Sequence, residues 1–265
     1  MAQFIWDNEE QVAFMTAKQL AEAVGQSDAA VIRFAQAVGY SGFPAMREAM
    51  RKDLLLRVGA SGLARAESAT TDQDLKRDVF ESSVSLVKQT AELNSDAELS
   101  EVVSLIVNAR RVFVSAHGTS YPLAAYLQMQ LSHCLDQGEL LTMGLGDLGD
   151  RFRSFDERDL VIGIGYVRYL PYTIDVLRQS RARGAQVVAI TDQLSSPLAG
   201  LAHRSLFVAR TSSSPAWWSQ AGTMAVIDWL IALTVARDPK RSRQKLAESD
   251  EQLKQLGHWL GELLP

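Results

Sequence analysis

The spacing of apolar residues changes along the chain and predicts two kinds of structure. Residues 1–58 are rich in alanine and carry apolar side chains at helical spacing, which predicts short helices joined by tight turns. Farther along, short β-branched runs alternate with helical segments. The predicted strands are Val112–Ser115, Leu160–Ile164, Val187–Thr191 and Ser205–Val208, and the predicted helices between them are Tyr121–Leu135, Pro171–Arg183 and Trp217–Val235. This α/β alternation predicts an all-α N-terminal domain followed by a parallel-sheet αβα sandwich.

Three further segments connect and extend these regions. The stretch Val58–Asp74 is small and polar, which is typical of a linker. Helices are predicted over Leu75–Leu93 and Arg241–Leu260, and the leucines of the second suit a helix that lies on a partner or on its own domain. We therefore expect four parts: residues 1–58, a linker and connecting helix over 59–97, an α/β domain over 98–237 and a C-terminal helix over 238–265.

Composition and charge narrow the class of protein. Hydrophobic residues make up 47% of the 265 residues and charged residues 22%, which is typical of a globular chain and excludes extended disorder. Cys134 is the only cysteine, so we expect no disulfide framework, no Cys-based zinc site and a reducing, cytoplasmic location. Neither a membrane-length apolar run nor a secretory signal is present, so we expect no membrane partner. The net charge of −4 still allows a small local DNA-binding module.

A helix-turn-helix is predicted near the N-terminus. Thr16 with Gln19 forms a capping box that starts a helix, and Gly25 supplies the sharp turn that ends it. Ser27 is a favourable N-cap for a second helix, and Ala21 is small where the two helices cross closely. Two short helices around a glycine turn are typical of a DNA-binding motif, although a generic helical hairpin would show the same pattern.

The segment that contains this motif reads LAEAVGQSDAAVIRFAQAVGYSGFPAMREAM. It resembles the N-terminal domain of RpiR-type bacterial transcription regulators over residues 4–56. The matching positions are Ser27, Val31, Arg33, Phe34, Gly39, Tyr40, Gly42 and Phe43. The family usually carries a further helix ahead of the motif, so we expect either a shortened module or a start downstream of the natural one.

The resemblance implies that the second helix enters the major groove of double-stranded operator DNA, with its N-terminal residues nearest the bases. The candidate DNA-binding residues are Gln26, Ser27, Asp28, Ala29, Arg33, Gln36 and Tyr40. Ser27 suits a phosphate contact, whereas Arg33 suits either a base contact or an ion pair within the module. Residues 27–58 hold five basic and three acidic side chains, a small excess that suits a module binding as part of a dimer.

Three loops of the α/β region follow predicted strands and therefore lie at one edge of the sheet. The first contains Gly118, Thr119 and Ser120, whose backbone N–H groups and hydroxyls at a helix start suit an anion. The second reads GYVRYLP and the third reads TDQLSSPLAGLAHRSL.

These loops resemble those of the sugar isomerase (SIS) domain over about residues 98–237. AHGTSYPLA is similar to the first SIS loop, DLVIGIGYVRYLPYTIDVLRQSRARGAQVVAITD to the second strand–loop–helix unit, and SSPLAGLAHRSLFV to the usual Ser-Pro-Leu-Ala step. RpiR-type regulators combine this helix-turn-helix with this SIS domain. Family members sense phosphorylated sugars or related metabolites and control the operons that consume them.

The second loop departs from the family, because its phosphate-holding hydroxyls are replaced by bulkier side chains. Arg168 adds a planar cation that can bind phosphate or carboxylate, so we expect a small anionic carbohydrate-derived effector, either a sugar phosphate or a sugar acid. The candidate effector-binding residues are His117, Gly118, Thr119, Ser120, Gly165, Tyr166, Arg168, Tyr169, Thr191 and Asp192. Alternatively, Arg168 and Tyr169 close a vestigial pocket or pack at a dimer interface.

Other side chains have two interpretations. His117 suits ligand contact or a structural role, and Trp217 and Trp218 suit burial in the core better than a pocket wall. His133 and Cys134 are expected in the core.

An SIS-fold isomerase or lyase is the alternative function, but Asp192 is the only acid in the three loops and proton transfer needs a placed base. A third possibility is an interaction protein whose SIS domain only dimerises. We expect a regulator that is not an enzyme, needs no cofactor or metal, and forms a homodimer or homotetramer.

Overall fold

The computed structural model describes residues 1–57, 67, 71–142, 146–211 and 218–258. The N-terminal domain is helical. Its helices are α1 (Ala2–Asp7), α2 (Glu9–Val12), α3 (Ala17–Ala23), α4 (Asp28–Ala37) and α5 (Phe43–Arg57). Helices α1 and α2 precede the predicted motif.

Local capping sets the helix-turn-helix. The Thr16 hydroxyl accepts the Gln19 N–H at 3.2 Å while the Gln19 side chain accepts the Thr16 N–H, which is the predicted capping box. Gly25 has φ +64°, a left-handed conformation that a side chain would strain, and the Ser27 hydroxyl then caps α4. Ala21 is buried where α3 meets α4, as the motif requires.

Two helices lead into the second domain: α6 (Asp72–Glu92) and α7 (Asp96–Asn108). Most of the predicted linker, residues 58–66 and 68–70, lies outside the described residues. A second capping box starts α7, in which Ser95 and Glu98 each accept the other's backbone N–H.

A parallel sheet with helices on both faces forms the second domain, which is the predicted α/β sandwich. The sheet order is β2-β1-β3-β4-β5 and every adjacent pair is parallel. The strands are β1 (Arg111–Ser115), β2 (Glu139–Leu140), β3 (Asp159–Ile164), β4 (Gln186–Thr191) and β5 (Arg204–Phe207). The helices are α8 (Tyr121–Leu135), α9 (Leu148–Phe152), α10 (Pro171–Ala182) and α11 (Ala221–Arg237).

Alternation along the strands sorts side chains between two hydrophobic clusters. Val112 and Val114 face the cluster built with α7, α8 and α11, whereas Phe113 faces the cluster built with α9 and α10. Strand β3 is buried along its whole length, as expected for a parallel strand covered on both faces.

An ion cluster closes the edge of the sheet where the strands begin. The fully buried Asp159 carboxylate accepts hydrogen bonds from Arg110 at 2.6 Å and from Arg111 at 2.8 Å. Burial opposes ionisation of Asp159, but the arginine hydrogen bonds outweigh it and hold the pKa of this carboxyl well below its usual range. Asp159 therefore pairs the starts of β1 and β3 as an ionised group.

The C-terminal helix α12 (Pro239–Gln255) packs on α8 through its first half. Arg241 donates to the Leu135 carbonyl at 2.8 Å, and Lys245 pairs with Asp136 at 3.2 Å. Leu246 and Leu256 of its leucine stripe stay exposed, and Leu260 lies outside the described residues. No helix in the part of the chain that the structure describes combines the length and the apolar character that a membrane crossing requires.

Candidate functional site

A cavity of about 220 Å³ opens at the edge of the sheet where β1 and β3 end. Parallel sheets bind ligands at this edge, because the loops that follow the strands converge there. Seven of the ten predicted effector-binding residues line the cavity: His117, Gly118, Thr119, Ser120, Gly165, Tyr166 and Arg168.

The first loop forms one wall. Gly118 has φ +61°, and a Cβ there would lie 2.9 Å from Cδ1 of Leu170 in the second loop. Only glycine therefore fits both the backbone conformation and the close approach of the two loops. A short 3₁₀ turn, Gly118–Ser120, then leads into α8 and places polar groups at a helix start, a position that favours anions.

His117 joins the first loop to α10. Its Nδ1 lies 2.9 Å from the Thr173 hydroxyl, and its ring contacts Tyr172. Burial lowers the pKa of His117, which favours the neutral imidazole. His117 thus combines a structural contact with a place on the cavity wall. Among the described residues, no three His, Cys, Asp or Glu side chains cluster in a way that suits a metal ion.

The second loop supplies Tyr166 and Arg168. The buried Tyr166 hydroxyl lies 2.7 Å from the Thr223 hydroxyl of α11, which anchors the loop to the body of the domain. Arg168 has φ +80°, an uncommon conformation for a residue other than glycine. Its guanidinium lies 5.1 Å from the ring centre of Trp218, which also lines the cavity. The preference for burying Trp218 in the core is therefore wrong, and Trp217 lies outside the described residues.

The sequence reasoning missed a second arginine in the cavity. Arg210 follows β5 at the same edge of the sheet and lies 4.4 Å from the ring centre of Tyr166. It donates to Oε1 of Gln220 at 3.0 Å, and burial lowers its pKa. Its position after a fourth strand was the available signal, because that loop converges on the same edge as the three loops considered.

Tyr169, Thr191 and Asp192 do not line this cavity but hold the second loop from behind. The buried Asp192 carboxylate accepts the Val167 N–H at 2.8 Å and the Tyr169 hydroxyl at 2.5 Å, and burial raises its pKa. The Thr191 hydroxyl donates to the Gly165 carbonyl at 2.7 Å. These residues therefore position the cavity wall rather than form its surface.

The back of the second loop also contacts the N-terminal domain. Phe14 meets Tyr169 edge to face, with ring centres 4.8 Å apart. The guanidinium of Arg51, in α5, lies over the Phe14 ring at 5.0 Å from its centre and donates to the Ala13 carbonyl at 2.8 Å. A further bond runs from the Ser195 hydroxyl to the Gln11 carbonyl at 3.3 Å. One loop thus borders both the cavity and the helix-turn-helix domain.

The predicted DNA-binding residues share one property, which is exposure to solvent. Every one of them is exposed: Gln26, Ser27, Asp28, Ala29, Arg33, Gln36 and Tyr40. The Ser27 hydroxyl accepts the Ala30 N–H at 3.2 Å, so this side chain also caps α4. In the described residues Arg33 forms no ion pair, which leaves its guanidinium to solvent as a base or phosphate contact would require.

Two family models match the chain in sequence order. The helix-turn-helix domain of the rpiR family matches residues 1–55, and the SIS domain matches residues 105–236. An HTH-type transcriptional regulator of Escherichia coli K12, YfhH, is 28% identical over 109 residues. That match spans 40% of this chain and 39% of the relative, well under two thirds of the relative's length.

Solved structures show the same fold. The sugar isomerase domain of an RpiR transcription factor from Sphaerobacter thermophilus is 28% identical, with a TM-score of 0.63 over 66% of this chain and 98% of that one. The Vibrio vulnificus NanR protein, complexed with ManNAc-6P, is 21% identical, with a TM-score of 0.69 over 96% of this chain and 91% of that one. The second match therefore extends over both domains.

Proposed function

Because the chain belongs to the RpiR family, whose members join a helix-turn-helix domain to a SIS domain, we propose that it is a transcription regulator controlled by a small anionic metabolite. It binds double-stranded operator DNA through α4. It changes its operator affinity when a carbohydrate-derived phosphate or acid fills the cavity.

The observation that carries this proposal is the charge of the cavity wall. Arg168 and Arg210 line the cavity, and none of the described residues that line it is an aspartate or glutamate. Such a wall attracts an anion and lacks the carboxylate that an aldose–ketose isomerase or a lyase would use for proton transfer. His117 is a titratable base among the residues that line the cavity. Its Nδ1 bonds with the Thr173 hydroxyl, so we assign it a structural role and not that of a catalytic base.

The Vibrio vulnificus neighbour, in complex with ManNAc-6P, supports a sugar-derived effector. The second loop of this chain carries Tyr166, Arg168 and Tyr169 where the SIS family has small hydroxyl residues, and the bulk of Tyr166 and Arg168 narrows the cavity that they line. We therefore favour a ligand smaller than an acetylated amino-sugar phosphate.

The second loop provides a route from effector to DNA. Tyr166, Val167 and Arg168 line the cavity, and Val167 and Tyr169 also pack with Phe14 of the N-terminal domain. A ligand that moves Arg168 also moves the residues on either side of it. Effector binding thus favours one arrangement of the two domains over another, which is the requirement for a change in operator affinity.

Regulators of this kind bind two-fold related half-sites, so we propose a homodimer or homotetramer in the cytoplasm. Exposed apolar side chains supply surfaces for self-association. Phe80, Val84 and Val87 form such a stripe on α6, and Leu246 and Leu256 remain exposed on α12.

Footprinting on the DNA upstream of the protein's own gene tests the proposal. We expect protection of two half-sites whose centres lie about 10 base pairs, or a multiple of that spacing, apart. Sugar phosphates and sugar acids, added in turn, should change the protection. Absence of any specific site at moderate salt would contradict the regulator assignment, whatever the cavity binds.

A further inference from the structure

Helix α6 packs on its own domain with one face and exposes a second, apolar face. The exposed face, called the α6 stripe below, consists of Phe80, Val84, Val87 and Ala91. We propose that the α6 stripe pairs with the same stripe of a second copy of this chain, with the two helices antiparallel. This inference rests on the proposed self-association and deepens it, because it names the surface and the orientation.

The members of the α6 stripe lie on one side of the helix. They are spaced by four, three and four residues, which is the spacing that lines a helix for pairing with another helix. Phe80 is 65% exposed, Val84 54% and Val87 37%. A contiguous exposed row of this kind is typical of a protein–protein contact, whereas single apolar side chains on a surface are common.

The other side of α6 fixes the direction in which the stripe faces. Leu86 and Thr90 are buried where α6 packs on α11, and the Thr90 hydroxyl accepts the Ala209 N–H at 3.0 Å. Just after the helix, the Asn94 side chain bonds both the N–H and the carbonyl of Phe207 at 2.7 Å. Helix α6 is thus held to β5 and the segment after it, so a partner meets a surface that is already ordered.

A second copy fits the α6 stripe because the stripe is complementary to itself. In an antiparallel pair, with the two-fold axis at the midpoint of the stripe, Phe80 lies opposite the partner's Ala91 and Val84 lies opposite the partner's Val87. The largest side chain therefore meets the smallest. A parallel pair would place Phe80 against the partner's Phe80, which crowds one end of the contact and leaves a gap at the other.

Charge favours the same pairing. Glu81 and Lys88 are exposed along one edge of the stripe, and neither forms an ion pair with another described residue. In the antiparallel arrangement these two flanking positions face each other, so Glu81 lies beside the partner's Lys88. The two-fold axis produces the same pair a second time. The apolar row and its flanking charges together specify a second copy of this chain as the occupant.

Charge variants of the full chain test the pairing in solution by analytical ultracentrifugation. Glu81→Lys and Lys88→Glu should each weaken self-association at least about tenfold, because like charges then face each other across the two helices. An equimolar mixture of the two variants should recover it, since every lysine at these positions then faces a glutamate. Gln89→Lys and Gln89→Glu change the charge of the same helix on its far side, and each should leave self-association unchanged.

Cysteine variants test the orientation. A mixture of Val84→Cys and Val87→Cys should form a disulfide-linked dimer under mild oxidation, because these two positions lie opposite each other in the antiparallel pair. Either variant alone should form much less of it. The natural Cys134 is buried, so the wild type should form none. A mixture of Ser85→Cys and Gln89→Cys, which are exposed outside the stripe, is the matched control and should stay unlinked.

The outcomes that would overturn the proposal are specific. They are a monomeric wild type at micromolar concentration, unchanged self-association in both charge variants, no recovery on mixing, or a disulfide that forms best in Val84→Cys alone. None of these substitutions changes α4 or a residue that lines the cavity. If the wild type protects two operator half-sites while these tests fail, the regulator assignment stands and the pairing through α6 alone is wrong.

Discussion

A single carboxylate, Asp159, joins the starts of two strands, and its removal should be costly. Asp159→Asn leaves Arg110 and Arg111 beside a neutral amide at a buried position, which we expect to cost about 3 kcal/mol of unfolding free energy at pH 7. Urea unfolding of both proteins measures this difference. Asp150→Asn, which removes an exposed pair with Arg153, is the control and should cost less than about 1 kcal/mol.

The same residue predicts a pH dependence. The pKa of Asp159 is lower in the folded protein than in the unfolded chain, so its ionisation stabilises the fold above the unfolded value of about 3.9. That contribution is lost progressively as the pH falls below about 4 toward the folded pKa. The stability difference between wild type and Asp159→Asn should therefore shrink over this range, and a difference independent of pH would contradict an ionised Asp159.

Arg33 is the residue on which sequence readout depends. Its side chain is exposed on α4 and forms no ion pair within the described residues, so Arg33→Ala should not destabilise the domain. If Arg33 contacts a base, the substitution weakens specific binding by about 1–3 kcal/mol and flattens the preference at one position. Binding assays over a set of single-base operator variants measure this. An equal loss for all sequences would instead indicate a contact with the DNA backbone.

At the residue scale, the sequence located some parts of the cavity better than others. Gly118 and Ser120 were predicted from their loop after a strand, because backbone N–H groups and hydroxyls at a helix start suit an anion. Arg210 also follows a predicted strand, but the sequence does not show its packing against Tyr166, a residue of another strand's loop. The sequence placed Asp192 at the correct edge of the sheet, but its carboxylate lies behind the second loop, where it accepts the Val167 N–H. His133, expected in the core, is exposed on α8.

At the scale of elements, periodicity predicted the long segments and missed the short ones. Four of the strands were predicted from β-branched runs that are buried on both faces, such as β3. Strand β2 has two residues, Glu139–Leu140, which is too short to show a pattern. Helices α1 and α2 are likewise short; α1 packs on α2, and α2 packs on α5. The helix predicted over Trp217–Val235 begins at Ala221 in the described residues, and Trp217 itself lies outside them.

Helix α12 is the element on which self-association is tested. Its first half is held to α8 by Arg241 and Lys245, so deleting the whole helix would also disturb its own domain. Leu246→Glu with Leu256→Glu changes only the exposed stripe. We expect this double variant to shift the mass measured by light scattering at micromolar concentration toward the monomer. Gln244→Glu with Gln255→Glu adds the same charge on the same helix and should leave the mass unchanged.

For the molecule as a whole, the contact between the two domains decides whether the cavity can control DNA binding. No sequence pattern predicted that contact, because Phe14 and Tyr169 lie in different domains and Tyr169 was assigned to the effector site or to a dimer interface. In the structure Phe14 is buried in contact with Tyr169 and Arg51, so the second loop and α5 share one aromatic contact. The second loop is therefore linked by packing to α5, which in turn packs on α4.

Phe14→Ala should uncouple the two sites. The substitution removes the ring that contacts Tyr169 and Arg51 but keeps the side chains that line the cavity and those of α4, so the affinity for methyl phosphate and the ligand-free operator affinity should each change by less than about threefold. The change in operator affinity caused by methyl phosphate should fall substantially, because coupling cannot exceed the difference in interactions between the two arrangements. Fluorescence anisotropy with labelled operator, with and without methyl phosphate, measures this. Gln3→Ala, which removes an exposed side chain from α1 in the same domain, is the control and should keep full coupling. If Phe14→Ala keeps full coupling as well, the signal passes through another contact, such as that between Ser195 and Gln11.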